Sequence, residues 1–236
     1  MRGVWGVWQE LAGLVLPVDC AGCGRPRTEL CGACRRALWR GGRGAGRVRP
    51  RPVPAGLPRV WAGAPYADEV RAVLLAHKER GALRLAAPLG AVLAGAVRGV
   101  GGGGGPLLLV PVPSARKAVA GRGHDPVRRI ALAASAELRR VGVGARVLAV
   151  LRQRRAMIDQ AGLDARQRLV NVAGALEVPG VAGRLLTGVP VVLVDDLVTT
   201  GATLAEAARA VRAVGGRVTG AAVVAAPRSS FLFNGK

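Results

Sequence analysis

The chain contains 236 residues, half of them apolar and only 3% aromatic, so it can bury one domain-sized core built mainly from valine, leucine and alanine. Its 35 basic and 14 acidic residues give a net charge of +21, which favours phosphate-bearing partners such as a nucleic acid or a phosphorylated small molecule. The scarcity of aromatic side chains argues against a single-strand binder that stacks bases, and a solvated basic surface is the simpler alternative.

The N-terminal twenty residues superficially resemble a signal peptide, but Gln9 and Glu10 interrupt the apolar stretch and no small-x-small cleavage site follows. Apolar residues recur at helical spacing instead, namely Trp5, Trp8, Leu11 and Val15. This pattern predicts an amphipathic helix that packs against the rest of the protein. Because the chain has no run of eighteen apolar residues, we expect no membrane span and a cytoplasmic protein.

The four cysteines follow the pattern C-x2-C-x7-C-x2-C and are Cys20, Cys23, Cys31 and Cys34. Each C-x2-C pair can present two thiolates to one ion, and four thiolates complete the tetrahedral shell that zinc prefers. Disulfides are the alternative, but this spacing in an intracellular chain more often binds zinc. We therefore predict a structural Zn²⁺ site that stabilises residues 1–40, a segment too small to fold on its own core.

Residues 41–60 form a basic stretch rich in glycine and proline that separates the cysteines from the rest of the chain. Its apolar residues follow neither the helical nor the strand period, so we predict a flexible linker. Its arginines can contact a nucleic acid or a phosphate, or they can simply be solvated.

From residue 61 to residue 228, short apolar runs alternate with segments of helical periodicity, and residues 229–236 form a tail. The predicted helices are Asp68–His77, Leu83–Val97, Val127–Arg140 and Leu204–Val214. The predicted strands are Leu107–Val112, Val147–Leu151, Val191–Val194 and Val218–Ala225, and the glycine run at 101–105 is a predicted loop. Alternating strands and helices indicate an α/β fold with a parallel sheet and right-handed crossovers.

Polar and basic residues follow the predicted strand Leu107–Val112, which breaks at two prolines. Ser114, Arg116 and Lys117 come next, at the carboxyl end of the strand. Arginine offers a planar fork for an anion and lysine a point charge. We therefore predict an anion-binding turn at this position.

The segment 191–204, VVLVDDLVTTGATL, is the most informative in the chain. A buried strand ends in Asp195 and Asp196, and a polar turn then opens a helix. The turn consists of Thr199, Thr200, Gly201, Ala202 and Thr203. Ligands collect at the carboxyl ends of strands in open α/β sheets, and the free amides of a helix N-terminus attract anions. The segment predicts a phosphate cradle beside two acids that suit sugar hydroxyls or a hard cation.

This segment resembles the phosphoribosyl-pyrophosphate (PRPP) motif of type I phosphoribosyltransferases; the NTPase loop GxxxxGK[ST] is absent from the chain. The resemblance implies that Asp195 and Asp196 hold the ribose hydroxyls, while residues 199–203 wrap the 5′-phosphate. It further implies that Arg116 and Lys117, with Ser114 beside them, hold the pyrophosphate, and that Mg²⁺ bridges it to the ribose.

The order of motifs along the chain resembles the ComF/GntX family of phosphoribosyltransferase-like proteins from Val15 to Pro227. These motifs are the cysteine knuckles, VPVP with its basic residues, an RG turn, a Gln–Arg–Asn segment and VDDxxTTGAT. The resemblance implies a link to competence and DNA uptake. Gln160, Arg166 and Asn171 match the family's Gln, Arg and Asn in the interval that supplies a mobile flap in type I enzymes. A basic surface helix is the alternative for that interval.

One stretch departs from the family pattern, because RG[FY]NQ falls on residues 122–126, which read Arg-Gly-His-Asp-Pro. We interpret His124 as filling the aromatic position, and Asp125 as the cap of a helix that begins at Pro126. Neither His124 nor His77 is assigned a catalytic role.

These observations leave three functions open. The first is an enzyme that transfers the phosphoribosyl group from PRPP to an unidentified acceptor and releases pyrophosphate, through a transition state like an oxocarbenium ion. The second is a module that senses PRPP without turnover. The third is a factor that handles single-stranded DNA, with the competence machinery as a partner, through the basic linker and the zinc knuckle. A homodimer is compatible with each of them.

Overall fold

A computed structural model of the protein describes residues 19–43, 45–101, 105–155, 167 and 171–232. The predicted N-terminal helix and two residues of the predicted flap, Gln160 and Arg166, lie outside these described residues.

A six-stranded sheet with the order β1-β2-β8-β7-β3-β4 forms the centre of the described chain. Its strands are β1 Gly46–Val48, β2 Val60–Pro65, β3 Leu107–Pro111, β4 Ala145–Val147, β7 Pro190–Leu197 and β8 Arg217–Ala226. All neighbouring pairs are parallel except β1 and β2. A separate antiparallel ribbon joins β5 Arg152–Gln153 to β6 Leu176–Glu177.

Helices cover both faces of this sheet. They are α1 Gly32–Arg43, α2 Asp68–Glu79, α3 Ala86–Val100, α4 Arg116–Arg122, α5 Pro126–Arg140, α6 Gly180–Gly183 and α7 Ala202–Arg212, with short 3-10 turns at Leu83–Leu85, Arg184–Leu186 and Arg228–Ser230. Alternate residues of β7 point to opposite faces. Val192 and Val194 pack in the core beneath α3 and α5, whereas Val191 and Leu193 pack in the core beneath α7. The predicted α/β fold is confirmed.

Helix α3 is the central helix on its face of the sheet. The stretch Leu83–Val100 is long and apolar enough to cross a membrane by length and composition, and half of it is buried within the protein. It packs against α5 and against strands β2 and β8. A Cβ atom at Gly90 would lie 2.5 Å from the Cβ of Ala133, so glycine allows the close approach of α3 to α5. The apolar composition of this stretch therefore serves the core.

The predicted strand Val147–Leu151 is wrong in position. Strand β4 ends at Val147, which pairs with Leu109, and the N–H of Leu148 makes one more bond to Leu109 at 2.9 Å. The chain then leaves the sheet towards β5. Val150 and Leu151 are apolar because they pack in the core beneath α7.

The predicted linker contains regular structure. Helix α1 extends to Arg43, and β1 pairs with the start of β2, where Val48 lies opposite Val60. Val48 is buried and also bridges to Phe231 in the tail. One buried β-branched residue among arginines and prolines was too short a signal to predict a strand.

Candidate active site

Strands β3 and β7 bring the two predicted anion sites to one edge of the sheet. The strands are parallel and adjacent, with Pro111 opposite Val194, and the N–H of Val112 donates to the carbonyl of Val194 at 2.9 Å. Ser114 and the acid pair Asp195–Asp196 therefore follow at the same carboxyl edge. This is the edge where ligands bind in open α/β sheets.

The acid pair lies among the last residues of β7, with Asp196 buried and Asp195 half-buried. One carboxylate oxygen of Asp195 accepts the backbone N–H of Asp196 at 2.8 Å. Burial raises the pKa of Asp195 well above its usual value, and the nearby Asp196 carboxylate raises it further. Asp195 therefore favours its protonated form more than an exposed aspartate does.

Lys78 of α2 forms an ion pair with this acid pair. Its Nζ lies 2.8 Å from Oδ2 of Asp196. Attraction to Asp196 raises the pKa of Lys78 despite the opposing effect of burial, so the ammonium stays charged. The sequence analysis missed this contact, because a lone lysine in AHKERG carries no spacing signal and its partner is 118 residues away.

Helix α2 explains how Lys78 reaches the site, because this helix crosses the carboxyl edge of the sheet. Near its start, Asp68 pairs with Arg228, which follows β8, at 3.3 Å. Near its end, Glu79 pairs with Arg122, which follows β3, at 3.2 Å. The helix therefore passes over the ends of β8 and β7 and covers the acid pair from one side.

The predicted phosphate cradle forms a bend that leads directly into α7. Gly201 adopts a left-handed conformation with φ of +76°, and the helix begins at Ala202 instead of the predicted Leu204. The N–H of Ala202 donates to Oγ1 of Thr200 at 3.4 Å. Thr199 is exposed, and Thr203 lies half-buried in the first turn. Hydroxyl groups and helix amides therefore lie together next to the acid pair, the combination that binds phosphate.

Residues of the predicted linker form a wall beside this cradle. A Cβ atom at Gly201 would lie 3.1 Å from the side chains of both Leu57 and Pro50. Arg212 of α7 donates to the carbonyl of Gly56 at 3.0 Å. The cradle therefore needs glycine for its backbone conformation and also for the space that the linker leaves.

The turn after β3 is held by its own hydrogen bonds. Asp125 accepts the N–H of Arg128 at 3.1 Å, and α5 begins at Pro126, which confirms the predicted helix cap. The same carboxylate lies 3.4 Å from the hydroxyl of Ser114. Arg116 and Lys117 form the first turn of α4, and their side chains lie outside the described residues.

The two histidines join the end of α2 to this turn through backbone carbonyls. Both imidazoles are buried, with ring centroids 5.9 Å apart. Nε2 of His77 lies 3.4 Å from the carbonyl of Pro126, and Nε2 of His124 lies 3.3 Å from the carbonyl of His77. Burial lowers the pKa of His77. These contacts fix the end of α2 against the segment that follows β3.

The β5–β6 ribbon is fixed to helix α7 by a pair of charged side chains. Oε1 of Glu206 accepts the N–H of Leu176 at 3.0 Å, and Arg209 donates to the carbonyl of Leu176 at 2.9 Å. Burial alone would raise the pKa of Glu206, but hydrogen bonds from Arg209 and Leu176 lower it. Asn171, the described residue of the predicted flap motif, is buried and precedes β6 in the chain.

The four cysteines converge on one point. The sulfurs of Cys20, Cys23, Cys31 and Cys34 all lie within 4.8 Å of one another, and all four are free thiols. A Cβ atom at Gly22 would lie 2.7 Å from the sulfur of Cys34, so the turn leaves no room for a side chain there. Burial raises the pKa of Cys34. In Cys20 burial is outweighed by backbone N–H groups, which lower the pKa to about 6. Four sulfur donors at this spacing can hold one metal ion.

A comparison with protein families supports this description. The family model described as "Phosphoribosyl transferase domain" matches residues 141–233, which run from the turn before β4 to the end of the described chain. This range includes the acid pair and the predicted phosphate cradle. No curated protein matches the chain. The described chain thus combines a mostly parallel sheet flanked by helices, a C-terminal part that matches a phosphoribosyltransferase domain, and an N-terminal four-cysteine cluster that can bind a metal ion.

Proposed function

We propose that this protein binds PRPP at the carboxyl edge of its sheet and transfers the phosphoribosyl group to an acceptor. The observation that carries the proposal is the meeting of the acid pair Asp195–Asp196 with the cradle of residues 199–203 at the start of α7. A phosphorylated pentose needs both: donors for its phosphate and acceptors for its hydroxyls.

In the proposed reaction, the bond between C1 of the ribose and the pyrophosphate oxygen breaks, and the pyrophosphate leaves with the electron pair. A nucleophilic atom of the acceptor forms the new bond to C1. Asp195 and Asp196 orient the ribose through its hydroxyls and offset the positive charge that grows on the ring. The cradle fixes the 5′-phosphate, while Ser114, Arg116 and Lys117 hold the pyrophosphate. Positioning and electrostatics supply the rate enhancement.

The oxygen atoms of the acid pair are the donors that Mg²⁺ prefers. Asp195 and Asp196 would hold the ion together with oxygens of the ligand. When bound, Mg²⁺ would neutralise part of the negative charge on the leaving pyrophosphate.

The cysteine cluster is proposed to hold a structural Zn²⁺ ion. Its closed set of four sulfurs leaves no position for a substrate, which is typical of structural sites. Thiolate sites of this kind need reduced cysteines, so a cytoplasmic location is part of the same proposal.

A second candidate function is handling of single-stranded DNA, in the DNA uptake role that the ComF/GntX resemblance implies. The net charge of +21 favours it, and the exposed arginines Arg25, Arg27, Arg35 and Arg36 lie in the cysteine segment. Such binding would weaken steeply as salt is raised, because counterions are released from the DNA.

The proposal is tested by calorimetric titration with PRPP and Mg²⁺, followed by assays for pyrophosphate release with candidate acceptors. We expect the wild type to bind PRPP, and Asp195→Ala and Asp196→Ala each to lose binding while remaining folded. Glu137→Ala removes a carboxylate from the outer side of α5 and is the matched control. No binding by the wild type at saturating PRPP would reject the proposal. Binding without release for any acceptor would favour a sensing module.

A further inference from the structure

The ammonium group of Lys78 lies at the boundary between the acid pair and solvent. About 40% of its side chain is exposed, whereas its partner Asp196 is only 10% exposed. The ion pair therefore has a buried carboxylate on one side and an accessible ammonium on the other. An anion that approaches the acid pair along this edge meets a positive charge that is already in place.

The contacts of α2 show on which side of the acid pair Lys78 lies. Its neighbour Glu79 pairs with Arg122, and its neighbour His77 lies 3.4 Å from the carbonyl of Pro126. Arg122 ends α4 and Pro126 begins α5, so both partners follow β3 in the chain, whereas the cradle of residues 199–203 follows β7. Lys78 therefore lies towards the turn that carries Ser114, on the side proposed for the pyrophosphate.

The geometry of the ion pair leaves part of the Lys78 ammonium available for a ligand. Nζ of Lys78 contacts Oδ2 of Asp196 at 2.8 Å, and the rest of its ammonium faces the accessible side of the site. Ribose hydroxyls that bind Asp196 would replace part of its interaction with Lys78. Lysine has three N–H donors on a flexible stem, so it can turn to a new acceptor within reach.

We propose that Lys78 is a ligand-binding residue of this site. Its ammonium is held on Asp196 in the free protein and pairs with an oxygen of the ligand's diphosphate in the complex. This inference rests on the proposed function, since it assigns a residue to the diphosphate end of that ligand.

The test compares Lys78→Gln with Arg80→Gln, which removes an exposed positive charge just beyond the same helix. The probes are PRPP, inorganic pyrophosphate and ribose 5-phosphate, titrated calorimetrically with Mg²⁺. A charge-assisted hydrogen bond predicts that Lys78→Gln weakens PRPP and pyrophosphate about tenfold or more. Ribose 5-phosphate should bind within about twofold of wild type, Lys78→Arg should recover most of the loss, and Arg80→Gln should match wild type.

Several results would overturn the assignment of Lys78 while leaving the proposed function intact. Lys78→Gln could bind PRPP and pyrophosphate as tightly as Arg80→Gln does. It could weaken all three ligands equally, which would show that the ion pair acts only on the fold. It could bind PRPP more tightly than wild type, which would make Lys78 a competitor of the ligand. Failure of the wild type itself to bind PRPP would instead reject the proposed function.

Discussion

The side chain of Asp195 is held where its charge is disfavoured, because burial and then the Asp196 carboxylate raise its pKa well above the usual value. The folded protein therefore keeps a proton that the unfolded chain releases above about pH 4. The stability that this group contributes is complete below its unfolded pKa and is lost as the pH rises through its raised, folded pKa. At neutral pH, Asp195 therefore lowers the free energy of unfolding relative to a neutral side chain at the same position.

We predict that Asp195→Asn makes the protein more stable at neutral pH, by about 1 kcal/mol or more. Asparagine keeps an oxygen for the N–H of Asp196 and carries no charge. The gain should shrink as the pH falls through the raised pKa of folded Asp195 and disappear below about 4, where the wild-type carboxyl is protonated in both states. Thermal unfolding between these pH values, with the exposed Glu177→Gln as control, measures it. A variant less stable than wild type at neutral pH would contradict this account.

Gly201→Ala should lower stability and weaken phosphate binding. The left-handed backbone alone costs a non-glycine residue about 1–2 kcal/mol, and the new Cβ would also lie 3.1 Å from Leu57 and Pro50. Gly188→Ala is a matched control, since Gly188 has φ of +77° with nothing within 4 Å. Urea unfolding of both variants isolates the crowding. Equal losses of stability in the two variants would show that Leu57 and Pro50 can move aside without a measurable cost.

Among single residues, contacts between residues close in sequence could be predicted, whereas contacts between distant residues could not. The positions of Asp195, Asp196 and residues 199–203, at the end of a strand and the start of a helix, could be predicted because strand, acids and turn are contiguous. The Asp125 cap could be predicted because its partner is three residues away. Lys78 could not be predicted, because its contact depends on the path of α2 across the sheet. The ligand-binding roles of the acid pair, of residues 199–203 and of Ser114, Arg116 and Lys117 all remain predictions.

Among the elements, burial and strand formation proved to be separate properties. The run Leu148–Leu151 has the composition of a strand, yet it follows the end of β4 and lies outside the described strands. Its buried members, Val150 and Leu151, pack in the core beneath α7. Strand β1 shows the reverse, since it pairs with β2 although one buried valine is its main apolar residue. Apolar periodicity reports burial, and only the pairing partner decides which residues join a sheet.

The cysteine segment yields a prediction at the level of an element. We expect about one zinc ion per chain in reducing buffer, as the four-thiolate site requires. Cys20→Ser or Cys34→Ser should release the metal and make residues 19–40 sensitive to proteolysis, while Thr28→Ala in the same segment should retain it. Elemental analysis and limited digestion measure both effects. Metal-free wild-type protein would refute the assignment.

For the whole molecule, ligand binding should appear as global stabilisation, because β3, β7, α2 and α7 all meet at the proposed site. A ligand present at a hundredfold excess over its Kd stabilises the native state by about 2.7 kcal/mol. We expect PRPP with Mg²⁺ to raise the melting temperature of the wild type and to leave that of Asp196→Ala unchanged. A scan against PRPP, nucleotides and single-stranded DNA makes the comparison. A rise with DNA alone would favour the second candidate function.

The pairing of residues 46–48 with β2 has a practical consequence for the design of shorter fragments. A fragment that starts at residue 61 would lack β1 and leave β2 as an unpaired edge strand. It would also lack Leu57 and Pro50, which lie beside Gly201. The exposed backbone groups of β2 could then pair with another chain, so we expect such a fragment to aggregate. The part of the chain that carries the proposed phosphate site should therefore be expressed and engineered together with the stretch that precedes it.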